Sequence, residues 1–455
     1  MALSIERPAA GCALHGALNA AAAVNGVVPI LHAPAGCGMQ AALAAPASGW
    51  AGPGPAGGLA AASTNLSEKQ VVFGGTARLR EQIKNTVKVM PAQLYVVLGS
   101  CPTEMIGDDL AAMTREARAQ GFPVLDIAAA GFRGPAQEGY GLFLQGVLAR
   151  PEVLGPVPPP EPDLVNLLGI VPGQDVFWEG DLEEWTRLLA GIGLRANPVF
   201  GHAGGVEGLR DLSRAAISLV LSPWGLVAAR TLEANAGVPW LETGALPVGA
   251  EASGAALREL AARLGRAGAT VEGFIEAETR RETHFLVRLA EAYHRLGLQR
   301  EFALVAGGAQ AAGLAEFLVG TLGWLPRSVV VAETLPEPAR AALAAGLGPV
   351  LDGFGATLLF SEDATIIAEA VAESGAEIVL GRAVEREVAA RLDVPLVEIA
   401  TPVTDRLVLD RPGSGSRGAL VLVEAIGQAV LGAAARREVW RRSTTLGPSC
   451  PDAAP

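Results

Sequence analysis

Short, nearly uninterrupted apolar runs alternate with stretches of helical periodicity along the whole chain. Residues 27–31, 94–98 and 122–127 read as strands, and residues 107–120, between the last two, carry the spacing of a helix. The plan then repeats: a strand at 164–170, a helix at 181–192, a strand at 216–221 and a long helical region over 255–298. A third round opens with a strand from 302 that runs into Gly307 and Gly308. It continues with a helix at 311–322, strands at 328–332, 356–360, 377–380 and 396–399, and a closing helix at 418–441. Strands that are apolar on both faces imply parallel sheets covered by helices on both sides, joined by right-handed crossovers. The expected fold class is α/β, with three doubly wound, Rossmann-like parallel-sheet domains.

The proline-rich segment Gly155-Pro156-Val157-Pro158-Pro159-Pro160-Glu161-Pro162 is stiff and is predicted to stand outside any sheet, so it marks a first boundary. The expected domains are residues 1–160, 161–300 and 301–445, followed by a polar tail at 446–455. Length supports this division: 455 residues, 50% of them hydrophobic and 18% charged, exceed what one core organises. A formal charge of -12 leaves no general basic surface, so no nucleic-acid partner is expected. The N-terminus lacks a basic stretch followed by an apolar one. The most apolar late stretch, 419–435, is short and interrupted by Glu424 and Gln428, so no membrane partner is expected either.

Four cysteines are too sparse for a disulfide scaffold, which predicts a reducing, cytoplasmic setting. Cys450 lies in the polar tail and is read as a spare thiol. Cys12, Cys37 and Cys101 differ, because each sits among Gly or Pro where a loop meets a strand or helix. Cys37 and Cys101 follow strand-like runs, where parallel sheets host ligands, and Cys12 precedes an alanine-rich helix whose N-terminus favours a thiolate. Small neighbours let a bulky group approach the backbone, and soft thiolates from separate loops suit an iron–sulfur cluster better than a compact zinc knuckle. Three ligands fall short of the usual four, so either another ligand type or a second chain completes the set. The segment 44–62, rich in Gly, Ala and Pro, is expected as a loop beside these cysteines.

In order along the chain, Cys12, His32-Ala33-Pro34-Ala35-Gly36-Cys37, the run from Asn65 to Gly75 and the run from Ser100 to Asp109 resemble the N-terminal signature of the nitrogenase component 1 superfamily. The runs from Asp163 to Gly169 and from Val394 to Arg406 resemble later family segments, so the likeness covers nearly the whole chain. The resemblance implies that Cys12, Cys37 and Cys101 hold half of an interfacial [8Fe–7S] P-cluster. An α-type subunit in an α2β2 heterotetramer would share that cluster and carry the catalytic cofactor. It also implies an ATP-dependent iron protein that delivers electrons. With no cysteine between Cys101 and Cys450, the chain looks like a β-type, electron-relaying subunit, although Gly131-Phe132-Arg133-Gly134 is closer to an α-type motif. The preferred activity within the family is that of methylthio-alkane reductase: reductive C–S cleavage of small methylthio compounds to methanethiol and a hydrocarbon. Alternatives are a cofactor-assembly scaffold, a nitrogenase β subunit, and a tetrapyrrole double-bond reductase subunit with a [4Fe–4S] cluster.

Other residues have simpler readings. Asp108-Asp109 stands at a helix start, where negative charge offsets the helix dipole. The segment Ala306-Gly307-Gly308-Ala309 is no strict nucleotide loop. His284 and His294 miss the i, i+4 spacing of a helical metal pair. His15 and His32 are candidates to hydrogen-bond a cluster sulfur. Trp178, Trp185, Trp224 and Trp240 are expected in packing roles.

Overall fold

The structure, a computed structural model, describes residues 6, 11–44, 60–156, 159–295 and 297–445. Its strands form three separate sheets in which every pairing is parallel. The first holds β1 (Val27–His32), β2 (Ala62–Ser63), β3 (Leu94–Gly99) and β4 (Val124–Ala128) in the order β2-β1-β3-β4. The second holds β5 (Glu161–Leu168), β6 (Arg195–Ala196), β7 (Ala215–Val220) and β8 (Trp240–Glu242) in the order β6-β5-β7-β8. The third holds β9 (Glu301–Ala306), β10 (Leu325–Val331), β11 (Thr357–Phe360), β12 (Ile378–Gly381) and β13 (Leu396–Glu398) in the order β11-β10-β9-β12-β13. In each sheet the first strand is central and the chain later returns to its other side. That reversal defines a doubly wound sheet and opens a crevice at the carboxyl ends of the strands.

The first sheet is covered by α1 (Ala13–Ala22) and α7 (Ala136–Leu148) with α4 (Thr76–Val89) and α6 (Leu110–Ala119), while α2 (Ala35–Ala44), α3 (Glu68–Phe73) and α5 (Cys101–Met105) follow the carboxyl ends of β1, β2 and β3. Alternate residues of β3 serve opposite faces. Leu94, Val96 and Leu98 join the core with Leu14, Ala17 and Phe143 of α1 and α7, whereas Tyr95 and Val97 join Leu79, Ile83 and Met113 of α4 and α6. The α1–α7 contact is so close that a Cβ at Gly16 would lie 1.6 Å from the Ala136 carbonyl oxygen, and one at Gly139 2.0 Å from that of Ala13. Only glycine fits at such a crossing.

Several expectations require correction. Glu161 and Pro162 belong to β5; the sheet accommodates them through a register shift between Glu161 and Val165 in the pairing with β7. The helical region 255–298 is two helices, Gly249–Arg263 and Ala269–Arg295, separated by a turn in which Gly265 takes a φ of +65°. The helix expected at 311–322 begins earlier, as Gly308–Glu316, and continues through a wider π turn over Phe317–Thr321. The closing helix runs over Gly415–Thr445, close to its expected span, but the apolar stretch expected to be short is not: residues 415–435 are long and apolar enough to cross a membrane by length and composition. Its buried Ala419, Leu422, Ile426 and Val430 recur at helical spacing, forming one stripe turned toward the core. The stripe runs beside helices Trp178–Gly191, Gly249–Arg263 and Ala269–Arg295. Buried Asp181 accepts hydrogen bonds from the N–H groups of Gly413 and Ser414 and from the Ser414 hydroxyl, which anchors this helix at its start. Residues 45–59, most of the loop expected beside the cysteines, lie outside the described residues, as do Cys450 and the tail.

Candidate functional site

The register of the first sheet explains why distant cysteines meet. His32 pairs with Gly99 and Gly99 with Ala128, so the turns that leave β1, β3 and β4 stand side by side at the carboxyl edge. Cys37 lies in the first turn of α2, Cys101 opens α5 and Cys12 is the N-cap of α1. Cys12 reaches the same edge because it bridges to Pro135, just before α7, and because the Ala13 N–H bonds to the Gly134 carbonyl at 2.9 Å. All three thiols are free and half-buried.

Gly131, in the turn after β4, joins two of them. Its N–H donates to the Cys101 sulfur at 3.0 Å. A Cβ at position 131 would stand 3.1 Å from the Cys101 sulfur and 3.2 Å from that of Cys12. His15, one turn into α1, links Cys12 to Cys37: its Nδ1 lies 3.7 Å from the Cys12 sulfur and its Nε2 3.2 Å from the Cys37 carbonyl oxygen.

These contacts differentiate the thiols. Burial pushes the Cys12 thiol up, but the His15 ring and the N–H groups of His15 and Leu14 outweigh it and hold Cys12 below its ordinary value. The hydrogen bond to Cys12 raises His15 against the effect of burial. Cys37 is raised, first by burial and then by the nearby charges of Cys12 and Cys101. Among the described residues no three His, Cys, Asp or Glu side chains are grouped to hold a single metal ion. Three soft thiols on separate glycine-bounded turns, with a backbone N–H on one sulfur and an imidazole on another, fit a larger polynuclear cluster better than a mononuclear site.

His32 does not face the thiols. It is fully buried below them, with Nε2 2.9 Å from Asp108 and Nδ1 3.2 Å from the Thr64 hydroxyl, and burial lowers its pKa against the pull of Asp108. Neutral imidazole protonated at Nε2 satisfies both partners. The two adjacent aspartates part company here. Asp109 caps α6 by accepting the Ala112 N–H at 2.8 Å. Asp108 turns inward to accept from the Gly75 N–H at 2.9 Å and the Thr76 hydroxyl at 3.0 Å. Gly75 is required, since a Cβ there would meet the Asp108 carboxylate at 2.6 Å. The Thr103 hydroxyl, 3.3 Å from the His32 carbonyl, closes this frame beneath the Cys37 and Cys101 turns.

Sequence reasoning missed the rim. Met39 and Leu43 of α2, Val72 and Phe73 of α3, Met105 at the end of α5 and Phe132 in the turn after β4 are exposed apolar side chains on segments that follow the carboxyl ends of the strands; Phe73 is 82% exposed. The third sheet supplies a second boundary. Thr334 and Glu362, bonded to each other, line an open depression of about 390 Å³ with Cys12, His15 and Gln40. Single exposed apolar side chains are ordinary on a folded chain, whereas several on the turns and helices that follow one sheet edge are the material of an interaction surface. The tryptophans are structural: Trp178, Trp185 and Trp224 are buried, and half-buried Trp240 donates to Glu233.

A family model described as nitrogenase component 1 type oxidoreductase matches residues 12–431. Curated relatives include the nitrogenase iron-molybdenum cofactor biosynthesis protein NifE of Klebsiella pneumoniae, 30% identical over 64% of this chain and 62% of its own length. The nitrogenase molybdenum-iron protein beta chain of Frankia alni is 30% identical over 45% of this chain and 39% of its own. The corresponding alpha chain of Methanosarcina barkeri is 26% identical over 39% and 33%. The matches thus span from a third to about three fifths of these relatives. A solved structure described as nitrogenase Cp1 at pH 6.5 superposes with a TM-score of 0.80 at 20% identity, covering 96% of this chain and 95% of that one, a likeness of fold.

Proposed function

The chain belongs to the nitrogenase component 1 type oxidoreductase family, and from that premise we propose that it is a β-type, electron-relaying subunit of a nitrogenase-like reductase. Cys12, Cys37 and Cys101 hold half of an iron–sulfur cluster, an [8Fe–7S] P-cluster shared with an α-type partner. The observation that carries this reading is the convergence of three half-buried thiols at the carboxyl edge of one sheet, whose following turns and helices also carry exposed apolar side chains. Three thiolates leave a polynuclear cluster short of ligands, and the apolar rim gives the partner that completes the set a surface to bury. The cluster supplies storage and transfer of low-potential electrons. The chain's own part is to present thiolate at Cys12 through His15, to donate the Gly131 N–H to Cys101, and to keep solvent from the inner side of the site.

The α-type partner carries the catalytic cofactor, an ATP-dependent iron protein delivers the electrons, and the specific activity we favour is reductive C–S cleavage of methylthio-alkanes. A second reading, a scaffold on which a cofactor matures, is favoured by the likeness to NifE. Anaerobic headspace gas chromatography separates them. The complex with its partner, iron protein, ATP and reductant is offered dimethyl sulfide or dinitrogen. Methane with methanethiol, lost in Cys37→Ala, supports the C–S reductase; ammonia from dinitrogen makes the chain a nitrogenase subunit. Transfer of bound metal to an apo-enzyme without turnover supports the scaffold. About four irons per heterodimer would replace the [8Fe–7S] cluster by a [4Fe–4S] one.

A further inference from the structure

Glu104 stands three residues after Cys101 and spends its hydrogen-bonding capacity outside its own helix. Its Oε1 accepts the Ala130 N–H at 2.9 Å, and its Oε2 accepts from Arg133 Nε at 3.0 Å and Nη2 at 2.6 Å. Between those partners lies Gly131, whose N–H is on the Cys101 sulfur. The far end of the same turn is fixed where Gly134 accepts the Ala13 N–H, next to Cys12. A closed circuit results, from Cys101 through Glu104 to Ala130 and Arg133 and back through Gly131 to the sulfur. The bidentate guanidinium–carboxylate pair is the charge-assisted bond in that circuit and sets its geometry.

We propose that Glu104 and Arg133 are positioning residues that set the reduction potential of the cluster by locking the Gly131 N–H onto the Cys101 sulfur. This rests on the cluster reading above. An N–H aimed at a ligating sulfur stabilises the more negatively charged, reduced cluster and moves its potential upward. Loosening the turn therefore lowers the potential without removing a ligand. The absence of a side chain at 131 belongs to the same device, because a Cβ there would press on both sulfurs.

The test uses the assembled complex for the potential and the iron-free chain for the turn. Redox titration followed by electron paramagnetic resonance is run on wild type, Glu104→Ala, Glu104→Gln and Arg133→Lys, with iron per chain measured on each sample. Hydrogen exchange at the Gly131 amide is measured in the iron-free proteins. The expected result is a lower potential at unchanged iron in Arg133→Lys, which keeps both charges; in Glu104→Ala and Glu104→Gln the lost negative charge moves the potential the opposite way, so their potentials are read against Arg133→Lys and their Gly131 exchange reports the turn. Gly131 exchange should accelerate about tenfold in Glu104→Ala, the factor corresponding to loss of one hydrogen bond to a charged group. Unchanged potential at full iron in Arg133→Lys, loss of iron in all three variants, or unchanged Gly131 exchange overturns the proposal. Wild type that binds no iron would instead overturn the cluster reading and with it the control of potential. The exchange measurement would still report separately whether Glu104 holds the turn.

Discussion

At the carboxyl edge of the third sheet, the turn from β9 through Gly307 into the helix Gly308–Glu316 is filled from within. Buried Glu333, just past β10, accepts the Gly308 N–H at 2.5 Å and the Trp224 indole N–H at 3.1 Å, and burial raises its pKa. At the same edge of the first sheet, the turns after β1, β3 and β4 carry thiols or glycine, and α2, α3, α5 and the turn after β4 carry exposed apolar side chains. The two edges share a backbone plan. One satisfies its helix N-terminus with a carboxylate of its own. The other presents three half-buried thiols on separate turns.

Cys101→Ala and Cys37→Ala should each strip most of the iron from the complex and abolish ATP-dependent reduction, while the iron-free chain keeps its denaturation midpoint; iron analysis and calorimetry read both. Next in size is the wall behind Cys12. Gly139→Ala drives a Cβ to 2.0 Å from the Ala13 carbonyl oxygen and 2.5 Å from the Ala17 nitrogen, where only backbone can yield. A loss of about 3 kcal/mol is expected in chemical denaturation.

The filled edge is tested by Glu333→Ala, which leaves the Gly308 and Trp224 N–H groups buried without an acceptor and should cost about 2–3 kcal/mol. Glu333→Gln keeps an acceptor for one of the two N–H groups and turns its amide NH2 toward the other, so it should cost less than Glu333→Ala, about 1–2 kcal/mol. A charge-specific role at this turn would make the two variants equal. Chemistry at the thiol-bearing edge is sharpened by alkylation of the iron-free chain near pH 7. Cys12, held low by His15, should react faster than Cys37, which is held high, and His15→Ala should erase the difference; peptide mapping by mass spectrometry reads the order.

The smallest effect lies away from both edges. Buried Glu282 accepts the Ala250 N–H at 2.8 Å, and burial pushes its carboxyl from 4.5 up to about 7. The folded chain therefore keeps this proton over a window where the unfolded chain has lost it. Its contribution to stability is largest below about 4.5, falls as pH rises toward 7, and is level above. Glu282→Gln should flatten that slope and stabilise the chain by about 1 kcal/mol at pH 8. An unchanged pH profile of the denaturation midpoint would assign the slope to other groups.

The strands were legible because residues buried on both faces must be continuously apolar, as in β1, β3, β7 and β9. Helix limits were less legible. Nothing local in residues 255–298 outweighs the helical periodicity on either side of Gly265, and Pro162 looks incompatible with a strand until the register shift beside it is known. The three cysteines stood out through their glycine and proline neighbours. Glu104 and Arg133 did not, being 29 positions apart and ordinary in isolation. His15 and His32 looked equivalent from the sequence. The one-turn step from Cys12 along α1 puts His15 among the thiols, while the end of β1 turns His32 inward onto Asp108.

The class of fold could be read from apolar and helical periodicity, and three thiols stood out by their glycine and proline neighbours, because burial pattern and residue type are local properties. That Cys12, Cys37 and Cys101 share one edge is a property of the folded chain. The reason is physical: parallel pairing of β1, β3 and β4 fixes which turns are neighbours, and the glycine crossing of α1 and α7 brings Cys12 across to them. The tertiary structure also decided which edge a carboxylate fills. A carboxylate beyond β10 reaches the turn after β9 through adjacent strand pairing, a relation that no spacing along the chain expresses.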